Sequence, residues 1–180
     1  MVDLKESDNG TISSIQNDQY NTAYILIVED NLDMRNFLKT LLEDTYNVNF
    51  AVDGKDGFDK TKKLNPDLII TDVMMPNMNG YEMTRLIKED EQLKLIPVLM
   101  LTARAEIAQK IEGLEHGADD YLTKPFNSKE LQVRIKILLE KHEYEKVITQ
   151  RNIEIEDELE TARLLQQKLL PESAATCSAS

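Results

Sequence analysis

Five short apolar runs alternate with stretches of helical periodicity between Tyr24 and residue 140, and this alternation limits the available folds more than any other feature. The runs are Tyr24–Val28, Val48–Val52, Leu68–Thr71, Val98–Leu101 and a short Tyr121–Thr123. Between them Met34, Phe37, Leu38, Leu41 and Leu42 recur at helical spacing, as do Met83, Leu86 and Ile87, and later Ile107, Ile111 and Leu114. Strands and helices in strict alternation predict a doubly wound α/β domain around a five-stranded parallel sheet. Three of the runs are almost unbroken apolar, as strands are when helices cover both faces of a sheet. Val48–Val52 alternates in part and Tyr121–Thr123 is short, so these two are expected at the edges, which matches the strand order 2-1-3-4-5.

That order carries a functional expectation. Ligands of open parallel sheets sit beyond the carboxyl ends of the strands, where the strand order reverses. Here the reversal lies between the first and third strands. Glu29 and Asp30 end the first and Asp72 ends the third, so topology alone brings three carboxylates together. Unpaired, they repel and raise one another's pKa values. A hard divalent cation removes that cost: Mg²⁺ suits a site with few carboxylates and open positions for water and phosphate oxygen, and Mn²⁺ shares the preference for oxygen ligands. Thr102 ends the fourth strand, where its hydroxyl can donate to an anion. Lys124 ends the fifth and supplies a compact positive charge. It precedes Pro125, and a cis Lys124-Pro125 bond is a candidate means of aiming it.

Residues 24–140 resemble the receiver domain of bacterial two-component response regulators, a flavodoxin-like fold. The resemblance rests on Val28-Glu29-Asp30-Asn31, on the run Pro66 to Pro76 around Asp72 with Gly80 following, on Leu101-Thr102-Ala103, and on Gly117 to Phe126 around Lys124. It implies that Asp72 is the phosphoacceptor and that Glu29, Asp30, Asp72 and the Met74 carbonyl hold Mg²⁺. It also implies that Thr102 and Lys124 bind the phosphoryl oxygens and that Tyr121 turns inward as a switch when Thr102 moves. The implied partner is a histidine kinase or a phosphotransfer protein, and the implied chemistry is confined to the domain's own phosphorylation and dephosphorylation. Met74 and Arg104, two residues beyond Asp72 and Thr102, are expected to tune the lifetime of the acyl phosphate by shielding it from water. Haloacid dehalogenase-type phosphatases also pair an aspartyl nucleophile with Mg²⁺, but they place a second acid where Met74 stands here. His116 and His142 both read as surface residues.

Charge and composition bound the rest. A net charge of −12 over 180 residues disfavours general binding to nucleic acid or to anionic membrane. No run approaches the roughly 20 apolar residues that a transmembrane helix needs. The single cysteine, Cys177, cannot form an internal disulfide, which favours a reducing, cytoplasmic setting. Residues 1–22 are polar and aperiodic and are expected to form a flexible leader before a receiver domain at 23–140.

From Asn127, with Glu130 three residues later as a capping box, a helix is predicted without proline or glycine until Pro171. Within 141–171, Ile148, Asn152, Ile155, Leu159, Ala162, Gln166 and Leu169 follow the alternating four–three spacing of a coiled-coil seam. Asn152 and Gln166 fall at a-type positions, where a buried Asn fixes parallel, in-register pairing, so a homodimer through this helix is expected. A helix folding back on its own domain is the alternative. Glu158 to Pro171 is similar to the linker that precedes PPM-type serine phosphatase domains, implying a downstream phosphatase effector, and 172–180 reads as a disordered tail.

Overall fold

In this computed structural model, residues 23–103 and 117–169 are described, Leu169 by its backbone only. The predicted helix around Ile107, Ile111 and Leu114 lies outside them, as do Arg104, His116, Cys177, the leader and the tail.

Five strands form one parallel sheet: β1 (Tyr24–Val28), β2 (Asn47–Ala51), β3 (Leu68–Asp72), β4 (Val98–Ala103) and β5 (Asp120–Lys124). Their order is β2-β1-β3-β4-β5, with the two least apolar strands at the edges. Helices α1 (Leu32–Leu42), α2 (Gly54–Leu64) and α3 (Gly80–Glu89) alternate with them, and α4 (Ser128–Leu169) follows β5. The strands run slightly past their apolar residues, because hydrogen-bond pairing and not hydrophobicity ends a strand. Asp72, for example, still pairs with Leu101, and Lys124 with Ala103.

Successive strand residues face opposite sides, and the core divides accordingly. Ile25, Ile27, Ile70 and Leu99 pack on one face with Leu38 and Leu42 of α1 and Leu131, Ile135 and Leu138 of α4. Leu26, Val28, Ile69 and Met100 pack on the other with Met83 and Ile87 of α3. Because both faces are covered, β1 and β3 carry no exposed apolar residue.

Short polar side chains set the helix starts. Asn31, Asp53 and Asn79 cap α1, α2 and α3, each accepting from the backbone N–H three residues on, and Asn79 forms a full capping box with Glu82. Asn127 accepts from the Glu130 N–H at 2.7 Å at the head of α4. The inward stripe of α4 continues from Leu131, Ile135 and Leu138 to His142, which is only 5% exposed and so is not the surface residue its charged neighbours suggest.

The chain divides into two compact units, with the boundary between His142 and Glu143, two residues beyond the expected 140/141. From Glu143 onward no described residue is buried, and Ile148, Ile155 and Leu159 are each more than half exposed. Among the described residues no helix is long and apolar enough to cross a membrane.

Replacing Asp53 with Ala should cost about 1 kcal/mol in urea unfolding at pH 7, the usual loss for an N-cap. The bonds from the Asp56 N–H and the Asn77 amide hold the Asp53 carboxyl below its ordinary pKa. Its contribution is therefore present above the unfolded value near 3.8 and is lost as pH falls through the depressed folded value. The difference between wild type and variant should vanish in that acid range.

Candidate functional site

The carboxyl ends of β1 and β3 sit side by side at the centre of the sheet, with Val28 paired to Thr71. Beyond them the sequence supplies Glu29, Asp30 and Asp72. Each offers one carboxylate oxygen, and the three oxygens lie within 4.8 Å of one another. Glu29 is buried at 1% exposure, Asp72 is intermediate and Asp30 is open to solvent.

Lys124 completes the cluster from the end of β5. Its ammonium nitrogen is 3.1 Å from Glu29 Oε2 and 3.0 Å from Asp72 Oδ1. Burial pushes the Glu29 carboxyl above its ordinary pKa; the Lys124 charge pulls it back and the Asp72 carboxylate raises it again. Burial acts to lower the Lys124 pKa, but its bonds to Asp72 and Glu29 outweigh that and the net direction is up. The peptide bond between Lys124 and Pro125 is cis.

The surrounding loops are tied down by backbone bonds. The Asn31 N–H donates to Glu29 Oε1 at 3.2 Å, and the Val73 N–H donates to Asp72 Oδ1 at 2.9 Å. After β3 the chain turns through Met74–Asn79, where Asn77 adopts a left-handed φ of 64° and its amide donates to Asp53 Oδ2 at 2.7 Å. Gly80 then closes the turn, its N–H donating to the Val73 carbonyl at 2.9 Å. A Cβ at this glycine would lie 2.2 Å from the Asp72 carbonyl oxygen, so any side chain would displace the strand end that carries Asp72.

Four of the predicted residues therefore meet in one cleft: Glu29, Asp30, Asp72 and Lys124. Thr102 is the penultimate residue of β4, one short of the expected strand end; it is 1% exposed, its hydroxyl donates to the Ala103 carbonyl at 3.2 Å, and it is not among the described residues lining the cleft. Tyr121 is half-buried against the Met100 side of the core, and burial, then the Asp119 carboxylate, raises its pKa. Met74 is exposed at 66% on the loop after Asp72. The sequence reading missed Asn31, Asp33, Met34 and Phe37 as cleft lining. Their positions in the first turns of the helix after the acidic pair are the signal that could have found them. It also missed Arg35, whose guanidinium donates to the main-chain carbonyls of Glu29 and Asp30.

Three carboxylate oxygens this close, one of them buried, form an oxygen-only donor set that fits a hard divalent cation. Among the described residues, Lys124 brings a positive charge into contact with two of them. An anion-accepting carboxylate, an acidic cradle and an amine at one strand-end cleft are the parts that phosphoryl transfer to a carboxylate requires.

Comparison with known proteins identifies the family of the domain. The profile of the response regulator receiver domain matches residues 25–136. Hybrid signal transduction histidine kinase D of Dictyostelium discoideum is 45% identical over 120 residues, covering 67% of this chain and 8% of that protein. Response regulator ArlR of Staphylococcus haemolyticus is 38% identical over 133 residues, covering 73% of this chain and 59% of the relative. The chain thus spans less than two thirds of the length of these curated relatives. Among solved structures, the receiver domain of a signal transduction histidine kinase from Syntrophus aciditrophicus superposes with a TM-score of 0.63 at 38% identity, covering 66% of this chain and 91% of that one. The chemotaxis response regulator CheY4 of Vibrio cholerae superposes at 0.60 with 36% identity, over 65% and 98% of the two chains.

Removing the Lys124 amine leaves the buried Glu29 carboxylate without its charged partner, with Asp72 beside it and the Asn31 N–H bond on Oε1 remaining. Lys124→Met should destabilise the metal-free protein by about 1–3 kcal/mol at pH 7, the range for an unsatisfied buried polar group. The loss is charge-specific: the buried carboxylate costs most when ionised, above its raised folded pKa, and this cost disappears as pH falls through that value. Urea unfolding in EDTA should show a larger deficit at pH 7 than at pH 4.

Proposed function

This chain belongs to the response regulator receiver domain family, and on that premise we propose that Asp72 accepts a phosphoryl group from a histidine kinase, a phosphotransfer protein or a small phosphodonor. The observation that carries the reading is the Asp72 carboxylate itself, seated at the end of β3 beside two further acids and 3.0 Å from the Lys124 ammonium.

An Asp72 oxygen attacks phosphorus in line; the new oxygen–phosphorus bond forms as the bond to the donor atom breaks, nitrogen in phosphohistidine or oxygen in acetyl phosphate, and that electron pair leaves with the donor. Lys124 offsets negative charge on the phosphoryl oxygens, so its partners change from Glu29 and Asp72 to the incoming group. Glu29, Asp30, Asp72 and the Met74 carbonyl would hold Mg²⁺, with Mn²⁺ as substitute, and the ion supplies charge neutralisation and orientation of the phosphoryl oxygens. The product adds about −1.5 to −2 of charge at one point, on the scale of a phosphoserine.

Thr102 is the side chain with something to gain from that charge. Its hydroxyl, now bonded to the Ala103 carbonyl, turns to a phosphoryl oxygen, and Tyr121 moves into the space it leaves. Because Thr102 and Lys124 interact better with the modified Asp72 in one conformation, phosphorylation shifts the population. Met74 and Arg104 set the lifetime of the acyl phosphate by limiting access of water. The domain acts on itself and not on outside substrates, works in the cytoplasm, and needs neither nucleic acid nor membrane.

The output runs through α4. We assign the seam Ile148, Asn152, Ile155, Leu159, Ala162, Gln166 and Leu169 to a parallel homodimer, supported by their heptad spacing and by the exposure of Ile148, Ile155 and Leu159. The linker resemblance supports a PPM-type serine phosphatase as the effector.

Intact-mass analysis after treatment with acetyl phosphate and Mg²⁺ should show one phosphoryl adduct on the wild type and none on Asp72→Asn. An equal adduct on the variant would refute the acceptor assignment. The decay of that adduct should accelerate in Arg104→Ala, and an unchanged rate would remove Arg104 from the lifetime role.

Sedimentation velocity should find the full chain dimeric and Leu159→Glu monomeric. Monomers of wild type both with and without a phosphoryl mimic would refute the dimer.

A further inference from the structure

Adjacent residues in an extended strand point to opposite faces. Glu29 and Asp30 are adjacent, yet each brings a carboxylate oxygen into the same small space as Asp72. The main chain must therefore bend between them, immediately after Glu29 donates the last bond of the ladder to the Ala51 carbonyl at 3.1 Å. What holds the bend is visible on its outer side. Arg35, from the first turns of α1, directs one terminal guanidinium nitrogen, Nη1, to the Glu29 carbonyl at 2.6 Å and to the Asp30 carbonyl at 2.9 Å.

We propose that Arg35 is a positioning residue for the metal cradle: by gathering two successive main-chain carbonyls onto one cation, it fixes the turn that presents both acidic side chains to a divalent ion. This inference rests on the metal reading of the cleft given above.

The chemistry of the side chain suits the task. Successive carbonyls of an extended chain point apart, so one donor can hold both only if the peptide between them has rotated. A guanidinium nitrogen carries two hydrogens at a fixed angle in a rigid plane, one for each acceptor. Bonds from a charged donor are roughly twice as strong as neutral ones. The Arg35 N–H donates in turn to the Asn31 carbonyl at 3.0 Å, which anchors its own backbone to the same turn. Asn31 adds a weaker tie from inside the turn, its N–H donating to Glu29 Oε1. Arg35 touches none of the carboxylate oxygens through these bonds, so it acts on the ion only through the backbone that carries its ligands.

A merely structural arginine would lower the stability of the domain and leave the affinity of each folded molecule for metal unchanged. A positioning arginine does the reverse. In its absence the turn samples other conformations and only a fraction of molecules present the cradle, so the apparent affinity falls by that fraction. Outer-shell partners of metal ligands commonly contribute 10–100-fold in affinity.

The experiment uses the full chain as wild type, Arg35→Gln and Arg35→Lys, titrated with Mg²⁺ by isothermal calorimetry, with urea unfolding in EDTA alongside. Arg35→Gln should weaken Mg²⁺ binding about ten-fold, and Arg35→Lys, which keeps a cation on a less rigid stem, should fall between. Labelling by acetyl phosphate should slow in Arg35→Gln at low Mg²⁺ and return to the wild-type rate at saturating Mg²⁺. A wild-type Mg²⁺ affinity in Arg35→Gln overturns the proposal, as does a labelling defect that saturating Mg²⁺ does not restore. If Arg35→Gln does not fold, Arg35→Lys decides alone: weakened binding supports the role and a wild-type affinity overturns it. Absence of saturable Mg²⁺ binding in the wild type would refute the metal reading of the cleft itself, a result distinct from equal binding by wild type and variant.

Discussion

The parallel ladder joining β1 to β3 is the constraint on which the rest of the molecule depends. It fixes the register of two strands that are solvent-free along almost their whole length, so neither can slip without turning its apolar residues out of one core layer and into the other. A residue placed one step past the end of either strand is therefore held where the fold puts it. Asp72 owes its proximity to Glu29 and Asp30 to this ladder, since two complete helix–strand units separate it from them in sequence, whereas the turn after β1 is shaped locally by Arg35 and Asn31. A site assembled from distant segments in this way stands or falls with the sheet.

The helix caps and loops then refine what the sheet has roughly placed. Asn77 and Asp53 link the turn after β3 to the head of α2, Gly80 allows α3 to begin against the Asp72 carbonyl, and Arg35 gathers the turn after β1. Each of these residues acts on the backbone that carries Glu29, Asp30 or Asp72 and not on their carboxylates. This division between strands that carry the chemistry and loop residues that aim it is why so small a cleft can be built on exposed surface and still be specific.

Much of this is legible in the amino-acid sequence because it follows from periodicity. Solid apolar runs identify β1, β3 and β4 as interior strands, and partial alternation marks β2 as an edge; the order 2-1-3-4-5 then predicts which strand ends meet. Features that depend on rotation of a side chain are less accessible. Thr102 lies one residue short of the end of β4, and its hydroxyl bonds the neighbouring carbonyl, which no spacing argument distinguishes from a hydroxyl facing the cleft. His142 misleads for a different reason: among charged neighbours it looks superficial, whereas counting eleven residues from Leu131 and seven from Ile135 puts it on the buried stripe. Arg35 was hidden because its contribution is to backbone atoms, which leave no trace in a side-chain pattern.

Lys124 gives the cleft a property that has no counterpart in a simple acidic pocket. Its ammonium already spans Glu29 and Asp72, one positive charge shared between two of the three carboxylates. An arriving ion or anion must renegotiate an existing contract among these groups, and whatever enters displaces something already there. Signalling then resembles a trade of partners more than an accumulation of charge. On the proposed reading the amine exchanges a bond it already holds for one to the incoming group.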